Sequence, residues 1–378
     1  LSALLVSTSK QMPLIVNELH RRGLRFPVLV GGAAINRRFG RRILQTESGD
    51  FYEPGVFYCK DAFEGLETMD QLIDANRKPA LLEQIRKEAD MELGRSNAKP
   101  SNLPTFQRSN IVPSPIPHPK WGVRVVKDMP LEIVFQHLSI NELYRLSWGA
   151  KNAHGDEWTK LKAEFDARLE RMKKAALKDG WLKPQAVYGH FPCQADGDDL
   201  IIYSPLPAGE GAGVREITRF TFPRQTFDDH LCLADYFAPV ESGQMDVVAF
   251  QVVTVGREAT ERIDRLHAQG DYTESYFMHG LAVQTAEATA DYLHNHIRRE
   301  LGLAPSQGKR YSWGYPAIPE LEDHKKVFDL LPAEKELGMT LSAAYQLIPE
   351  QSTAAIIVHH KDAKYYSVGE SRVQQLMR

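Results

Sequence analysis

Cysteine is scarce in this chain, and its placement excludes two structural roles. The 378 residues contain three cysteines, Cys59, Cys193 and Cys232, and no Cys-x-x-Cys pair. Such wide spacing argues against a disulfide framework and against a structural zinc site. We therefore expect each thiol to be a small buried side chain in a protein of a reducing compartment.

Long apolar runs and a large net charge are also missing. No apolar stretch approaches the roughly 20 residues that span a bilayer. The opening LSALLVS is too short for a signal peptide and has no basic leader. The formal net charge of −3 gives no electrostatic argument for nucleic acid or a membrane surface. The composition predicts a cytoplasmic globular protein of two or three domains, with no nucleic-acid or membrane partner.

The histidines show no spacing typical of a metal site. His294 and His296 fall in a helical pattern, and His359 and His360 are adjacent. Neither pair belongs to a metalloprotease motif or has a cysteine nearby. We predict no metal site, and we assign no catalytic acid or base.

The first hundred residues alternate strand-like and helix-like segments. Leu1 to Val6 is an apolar run, Gln11 to Arg22 is amphipathic, and Phe26 to Val30 is a second apolar run that ends in Gly31-Gly32. This alternation predicts an α/β unit with a parallel sheet and helices on its faces. Ligands of such sheets bind at the carboxyl ends of strands, where glycine permits close backbone approach. A Gly-Gly turn alone is weak, because most such turns bind nothing.

A proline-rich segment predicts a domain boundary. Seven prolines fall between Gly94 and Pro130, including the run PSPIPHP at 113–119. Prolines at this density favour an extended, semi-rigid chain. We predict a first domain at 1–96, a linker at 97–124 and a second domain at 125–378. The linker's apolar residues predict that it packs over one or both domains: Ile111, Val112, Ile116 and Trp121.

The second domain carries helix and strand patterns in separate groups. Apolar spacing of 3.6 residues predicts helices over 133–148, 158–178, 258–270 and 272–301. Strand-like segments at 186–191, 200–203, 216–220 and 247–253 are separated by turn signals. This grouping predicts an α+β domain with an antiparallel sheet and long helices.

The stretch from Arg310 to Pro316, RYSWGYP, combines a cation, three aromatic rings, a glycine and a proline. Arg310 presents a fork of donors that suits a carboxylate, and the rings offer faces to a cation. Gly314 would let a loop backbone approach a flat ligand. S-adenosylmethionine carries a carboxylate, a flat heterocycle and a permanent cation. The alternative is a surface turn with aromatic rings pinned to the core.

A carboxylate in an apolar segment gives a second candidate. Asp235 stands in Leu231 to Phe237, which we predict to be a strand, and an unpaired buried charge is costly. Asp235 is therefore either a structural ion pair, with Arg219 or Arg224, or a counter-charge for a ligand ammonium.

A pair of tyrosines follows near the end of the chain. If Tyr365 and Tyr366 lie on a strand, they point to opposite faces, so that at most one of them would touch a ligand.

These motifs, taken in order, resemble the reactivation domain of cobalamin-dependent methionine synthase. The resemblance rests on CLADYFAP at 232–239, the helical stretch at 276–303, Arg-x-x-x-Gly-Tyr-Pro at 310–316 and Lys-Tyr-Tyr at 364–366. A conventional S-adenosylmethionine methyltransferase would instead show a glycine-rich turn after its first strand. The resemblance implies an S-adenosylmethionine site formed by Asp235, Arg310, Gly314, Tyr315, Ala317, Tyr365 and Tyr366.

The first domain resembles the end of the Rossmann-like cobalamin module that precedes this domain in the same family. Val6 stands where the family usually has threonine, and Ile318 where it often has cysteine. The family's Asp-x-His-x-x-Gly motif, which supplies the cobalt ligand, occurs nowhere in these residues. We therefore interpret the chain as the C-terminal part of a longer protein. The residues expected to border cobalamin are Ser2, Val6, Thr8, Gly31, Gly32 and Ala62.

The resemblance implies a function. The chain would bind S-adenosylmethionine for reductive methylation of cob(II)alamin to methylcobalamin, with an electron from a flavodoxin-type donor. Upstream homocysteine and folate modules of the same polypeptide would transfer methyl groups in methionine biosynthesis, with zinc only in those modules. Two alternatives stay open: a regulatory module without catalysis, or a stand-alone factor that reactivates a corrinoid on a separate protein.

Overall fold

A computed structural model gives the fold of the protein. It describes residues 1–2, 9, 11–32, 35–96, 108–117, 120–205, 214–225 and 228–368. Val6 and Thr8, and positions 3–6 of the strand predicted over 1–6, lie outside the described residues. No helix in the described ranges is long and apolar enough to cross a membrane.

The N-terminal part contains a parallel pair of short strands with helices around it. Strand β1 (Val28–Val30) pairs with β2 (Val56–Tyr58), and Ser2 forms a parallel bridge to Gly31. The helices that the described residues form here are α1 (Gln11–Arg21), α2 (Arg37–Arg42), α3 (Ala62–Ile73) and α4 (Lys78–Ser96). The predicted alternation of strand and helix is confirmed, with its own buried core. A complete Rossmann-like sheet is not evident in the described residues, which supply only this pair and the bridge.

The larger part is built on one seven-stranded antiparallel sheet, which confirms the α+β prediction. The strand order is β6-β5-β4-β7-β11-β8, and β3 pairs with the first half of β4. The strands are β3 (Gly122–Val126), β4 (Gln185–Asp196), β5 (Asp199–Pro205), β6 (Val214–Thr221), β7 (Asp246–Thr254), β8 (Lys309–Ser312) and β11 (Ser352–Val358). Two further strands form a small antiparallel pair, β9 (Thr340–Leu341) and β10 (Leu347–Ile348).

Both faces of the central sheet are covered, which explains its continuous apolar strands. Every residue of β7 is buried, because alternate side chains enter two different cores. Ala249 and Val253 belong to the core under the helices, whereas Phe250 and Val252 belong to the core on the opposite face. A strand between two cores does not show the alternation of a half-exposed strand.

The helices pack mainly on one face of the sheet. The remaining helices are α5 (Leu131–Phe135), α6 (Ile140–Glu142), α7 (Gly155–Asp179), α8 (Arg257–Ala268), α9 (Tyr272–Glu300), α10 (His324–Leu330) and α11 (Ala333–Leu337). The long helix α9 lies against β7 and β11 and supplies many of the buried residues of that core. Its predicted span is confirmed to within a residue.

The helix predicted over 133–148 is wrong as a single element. The chain forms α5 and α6, which are separate, and then a π-helical turn, Leu143–Ser147. The turn places the Trp148 indole against α9, where Nε1–H donates to the Phe277 carbonyl at 3.0 Å. Packing against α9 therefore overrides the local helical periodicity.

The strand predicted over 231–237 is also wrong. Residues Leu233–Tyr236 form a 3-10 turn, because the Asp235 carboxylate accepts the backbone N–H of Cys232 at 3.0 Å. A carboxylate that bonds its own backbone three residues earlier favours a turn over a strand.

We predict opposite effects for two Gly→Ala substitutions in helices. A Cβ on Gly280 of α9 would lie 2.8 Å from the Trp148 ring, whereas a Cβ on Gly65 of α3 has its nearest neighbour at 4.0 Å. Gly280→Ala should lower the free energy of unfolding by about 1–3 kcal/mol through overpacking. Gly65→Ala should raise it by about 0.5–1 kcal/mol through helix propensity. Chemical denaturation checks both, and equal effects at the two positions would contradict the Trp148 contact.

Candidate ligand site

Arg310 is mostly buried at the junction of the sheet and the long helix. Its register partner on β11 is Ile357, so the stretch predicted as a loop begins as a strand, because β8 closes the sheet edge. Nη2–H donates to Glu287 Oε2 at 2.7 Å and to Asp291 Oδ1 at 3.2 Å, one turn apart on α9. The Arg310 side chain is 13% exposed.

Arg310 is a charged guanidinium with one buried nitrogen that has no hydrogen-bond partner among the described residues. Burial lowers the pKa of the guanidinium, but the Glu287 and Asp291 carboxylates outweigh that effect and raise it. The buried Nη1 atom has no hydrogen-bond partner among the described residues. Because buried donors are nearly always paired, this N–H indicates a position for an acceptor from outside the described part of the chain.

The turn after β8 holds the last four residues of the RYSWGYP motif, 313–316. Gly314 has φ +89°, which favours glycine, and its N–H donates to the Ile318 carbonyl at 2.8 Å. Ala317 is buried, whereas the Tyr315 ring is 50% exposed. The turn therefore presents Tyr315 at the surface on a fixed backbone.

Three tyrosine rings stand in a row, with Tyr311 beside both of the others. The Tyr311 ring lies 5.5 Å from Tyr365 and 6.3 Å from Tyr366. The Tyr311 hydroxyl donates to the Lys364 carbonyl at 2.7 Å and so fixes the segment that carries the other two. Tyr365 is 69% exposed, whereas Tyr366 packs against the core.

The strand expected for Tyr365 and Tyr366 is absent, because β11 ends at Val358 and a turn follows. The N–H groups of Asp362 and Ala363 both bond back to His360. The tyrosines nevertheless occupy different environments, one exposed and one packed.

Asp235 forms the ion pair that the sequence left as one of its alternatives. Arg224 binds both carboxylate oxygens, Nη1 to Oδ2 at 2.7 Å and Nη2 to Oδ1 at 2.8 Å. Arg224 also binds Asp198, so one arginine serves two carboxylates. Burial lowers the pKa of Arg224, and Asp235 and Asp198 more than offset this, so the pKa is raised. A ligand could contact Asp235 only through Oδ1, which accepts the single Arg224 bond among the described residues.

Tyr366 connects Asp235 with the row of rings. Burial raises the pKa of its phenol, and the neighbouring Cys232, Tyr311 and Asp235 add to the effect. The Tyr366 hydroxyl is buried and has no hydrogen-bond partner among the described residues. Two buried polar groups of this region, Arg310 Nη1 and Tyr366 Oη, therefore have no hydrogen-bond partner among the described residues.

Four of the N-terminal candidates lie in the described residues, after the carboxyl ends of the parallel pair or bridged to that end. Ser2 bridges to Gly31 at the carboxyl end of β1, and Ala62 begins the helix that follows β2. Gly32 has φ +109°. A Cβ on Gly31 would lie 2.7 Å from the Cys59 carbonyl oxygen, so the neighbouring backbone already requires glycine there.

Sequence reasoning missed the acidic partners of Arg310. Glu287 and Asp291 have the (i, i+4) spacing of one helix face, and that spacing was the available signal. Nothing in the sequence showed that this face would lie under β8. The described residues contain no group of three or more His, Cys, Asp or Glu side chains placed to hold a metal ion.

Comparison with known proteins identifies the family to which the chain belongs. Residues 132–378 match the family described as vitamin B12 dependent methionine synthase, activation domain. The chain belongs to this family.

Full-length relatives extend the match over nearly the whole chain. Methionine synthase of Mycobacterium tuberculosis is 33% identical over 97% of this chain and 34% of its own length, and that of Mycobacterium leprae is 32% identical over the same shares. The chain spans about a third of these curated relatives.

A solved activation domain shares the fold. A crystal structure of the MetH reactivation domain bound to AdoHcy has a TM-score of 0.60 and 28% identity. The match covers 68% of this chain and 84% of the solved chain.

A buried histidine beside the site predicts acid sensitivity of the activation domain. Burial, with Arg298, Arg310 and Lys309 nearby, lowers the pKa of His294 to about 3. Below pH 6.5 the unfolded chain binds a proton that the folded chain excludes. Stability should therefore fall by about 1.4 kcal/mol per pH unit from pH 6.5 towards pH 3 through this group.

The His294→Gln variant tests this acid sensitivity, because glutamine does not titrate. Its free energy of unfolding, measured by denaturation between pH 7 and pH 4, should depend less steeply on pH than that of the unmodified chain. His20→Gln, on the exposed surface of α1, is the control and should leave the slope unchanged. Identical slopes for all three proteins would contradict the assignment.

Proposed function

We propose that this chain is the reactivation region of a cobalamin-dependent methionine synthase and binds S-adenosylmethionine along the row of tyrosines between Asp235 and Arg310. The observation that carries the proposal is the buried Nη1 of Arg310, which has no hydrogen-bond partner among the described residues. The solved relative bound to AdoHcy, which lacks only the transferred methyl group, supports the same ligand class.

The charges of the ligand match the charges of the site. The ligand carboxylate would accept Nη1–H of Arg310, whose other nitrogen stays on Glu287 and Asp291. Oδ1 of Asp235 accepts only the Arg224 bond among the described residues and would accept the ligand ammonium on its remaining lone pair. Such charge-assisted bonds at both ends fix the direction of the methionine part.

The remaining residues suit the other parts of the ligand. The exposed rings of Tyr315 and Tyr365 would face the sulfonium cation. The backbone at Gly314 and Ala317 would lie along the flat adenine. No acid or base is required, because the chain's task is to position the methyl donor.

We propose that 1–96 is the end of the cobalamin module, 97–124 the linker and 125–378 the reactivation domain. Ser2, Gly31, Gly32 and Ala62 lie at the strand edge where ligands of parallel sheets bind, and this placement fits a border of cobalamin. Gly31 fits a cobalamin border less well, because the Cys59 carbonyl oxygen already occupies the space where a Cβ of residue 31 would lie. Cobalamin, when bound, supplies the cobalt that receives the methyl group.

The wider reaction is proposed from the family. An electron from a flavodoxin-type donor would accompany each reductive methylation. Homocysteine and folate modules, with the cobalt-ligating histidine and zinc upstream, would belong to the same polypeptide. The chain itself would hold the methyl donor and border the corrinoid.

Substitution of Arg310 tests the site. Arg310→Ala should weaken S-adenosylmethionine binding by about 10–100-fold, because one charge-assisted hydrogen bond to the carboxylate is lost. Arg310→Lys keeps the charge but loses the fork, so it should bind with intermediate affinity. Equilibrium dialysis with labelled ligand measures both.

Arg262→Ala is the matched control, since Arg262 binds Asp179 on the helical side of the domain. It should bind the ligand with unchanged affinity. Circular dichroism of each variant separates lost binding from lost folding. If folded Arg310→Ala bound the ligand as tightly as the control, the site would be elsewhere.

A further inference from the structure

The segment 363–368, called the clasp here, is bonded to the RYSWGYP motif at two points. At one point the Tyr311 hydroxyl donates to the Lys364 carbonyl at 2.7 Å. At the other the Val368 N–H donates to the Pro316 carbonyl at 3.2 Å. The two hydrogen bonds fix the clasp against both the strand and the turn of the motif.

The residues expected at the ligand lie in the sequence between these two attachment points. Tyr365 and Tyr366 belong to the clasp, whereas Gly314 and Tyr315 belong to the motif. Tyr365 is 69% exposed and Tyr315 is 50% exposed, but Val368 at the end of the clasp is buried. The clasp is therefore anchored at its end and presents its ligand-candidate ring at the surface.

A buried glutamine provides a third attachment of the clasp. Gln225 Nε2–H donates to the Ser367 carbonyl at 2.9 Å, across 142 positions of sequence. Gln225 Oε1 accepts the Leu231 N–H at 3.5 Å, and the Gln225 N–H donates to the Leu231 carbonyl at 2.8 Å. Because one side of the amide faces a donor and the other faces a carbonyl, only this orientation of the side chain satisfies both.

We propose that Gln225 is a positioning residue of the ligand site, and that it acts by holding the clasp in register with the turn. The inference rests on the proposed function. A ligand that contacts Tyr365 on the clasp and Tyr315 on the turn needs both segments at a fixed separation. Ordering the clasp during binding would cost conformational entropy and lower the affinity. The Gln225–Ser367 bond removes this ordering from the binding step.

The coupling between clasp and ligand acts in both directions. If the attached clasp raises the affinity for the ligand, the ligand must stabilise the attached clasp by the same factor. A bound ligand should therefore slow exchange of the Val368 amide, whose N–H bonds to the turn. Loss of the Gln225 side chain should speed that exchange in the absence of ligand, and saturating ligand should slow it again.

The test measures S-adenosylmethionine affinity of the full chain by equilibrium dialysis. Gln225→Ala should weaken binding by about two- to tenfold, the effect of one neutral hydrogen bond. Gln194→Ala is the matched control, because Gln194 is also buried and its Nε2–H donates to the Gln244 carbonyl at 2.9 Å. Gln194 lies on β4, three strands from β8, so its loss should leave the affinity unchanged.

A second variant isolates the bond to the clasp. Gln225→Glu keeps an acceptor for the Leu231 N–H but places a carboxylate oxygen against the Ser367 carbonyl. It should weaken binding at least as much as Gln225→Ala. Circular dichroism confirms that each variant is folded, and hydrogen exchange with and without ligand reports the state of the clasp. A glutamine with a purely structural role would not make exchange at Val368 depend on the ligand.

The outcomes separate this inference from the proposed function. Binding by the unmodified chain, with equal affinity in both Gln225 variants, would overturn the inference and leave the function standing. An equal loss of affinity in Gln225→Ala and Gln194→Ala would also overturn it, because the loss would then reflect general destabilisation. Absence of binding by the folded unmodified chain would overturn both. Selective loss in the Gln225 variants, with ligand-dependent protection of Val368, would support both.

Discussion

The ion pairs of Arg310 with Glu287 and Asp291 are the interaction on which the candidate site depends. They tie the edge strand β8 to the long helix α9 and hold a guanidinium where burial alone would disfavour it. Because two carboxylates share Nη2, Nη1 is left as a directed donor without a partner in the described chain. A second shared arginine, Arg224, holds Asp235 in the same manner. Both charged groups of the proposed site are therefore held by protein partners.

The sheet provides the rigid frame for these charges. Its central strands are buried on both faces, so β8 and β11 cannot shift without disturbing two cores. The Tyr311 hydroxyl donates to the Lys364 carbonyl and so fixes the segment that contains the exposed Tyr365. Preorganisation of this kind suits a protein that positions a reactive donor and leaves the chemistry to a cofactor.

Sequence reasoning reached the α+β class of the larger part and most of its long elements, because α7, α9 and the central strands show strong local patterns. The Rossmann-like sheet expected for the N-terminal part is not evident in the described residues. It failed where tertiary contacts decide local structure. The π-helical turn at 143–147 follows from Trp148 packing on α9, and the turn at Asp235 follows from a side chain bonded to its own backbone. The acidic partners of Arg310 lie 23 and 19 positions before it in the sequence, and no local pattern reports such pairings.

Calorimetric titration of the unmodified chain with S-adenosylmethionine, with the demethylated product in parallel, tests the central claim most directly. The preformed donor on Arg310 and acceptor on Asp235 predict saturable one-to-one binding of both compounds, since both carry the same carboxylate and ammonium. A folded sample that released no heat of binding with either compound would contradict the claim that these two charged groups form one ligand site.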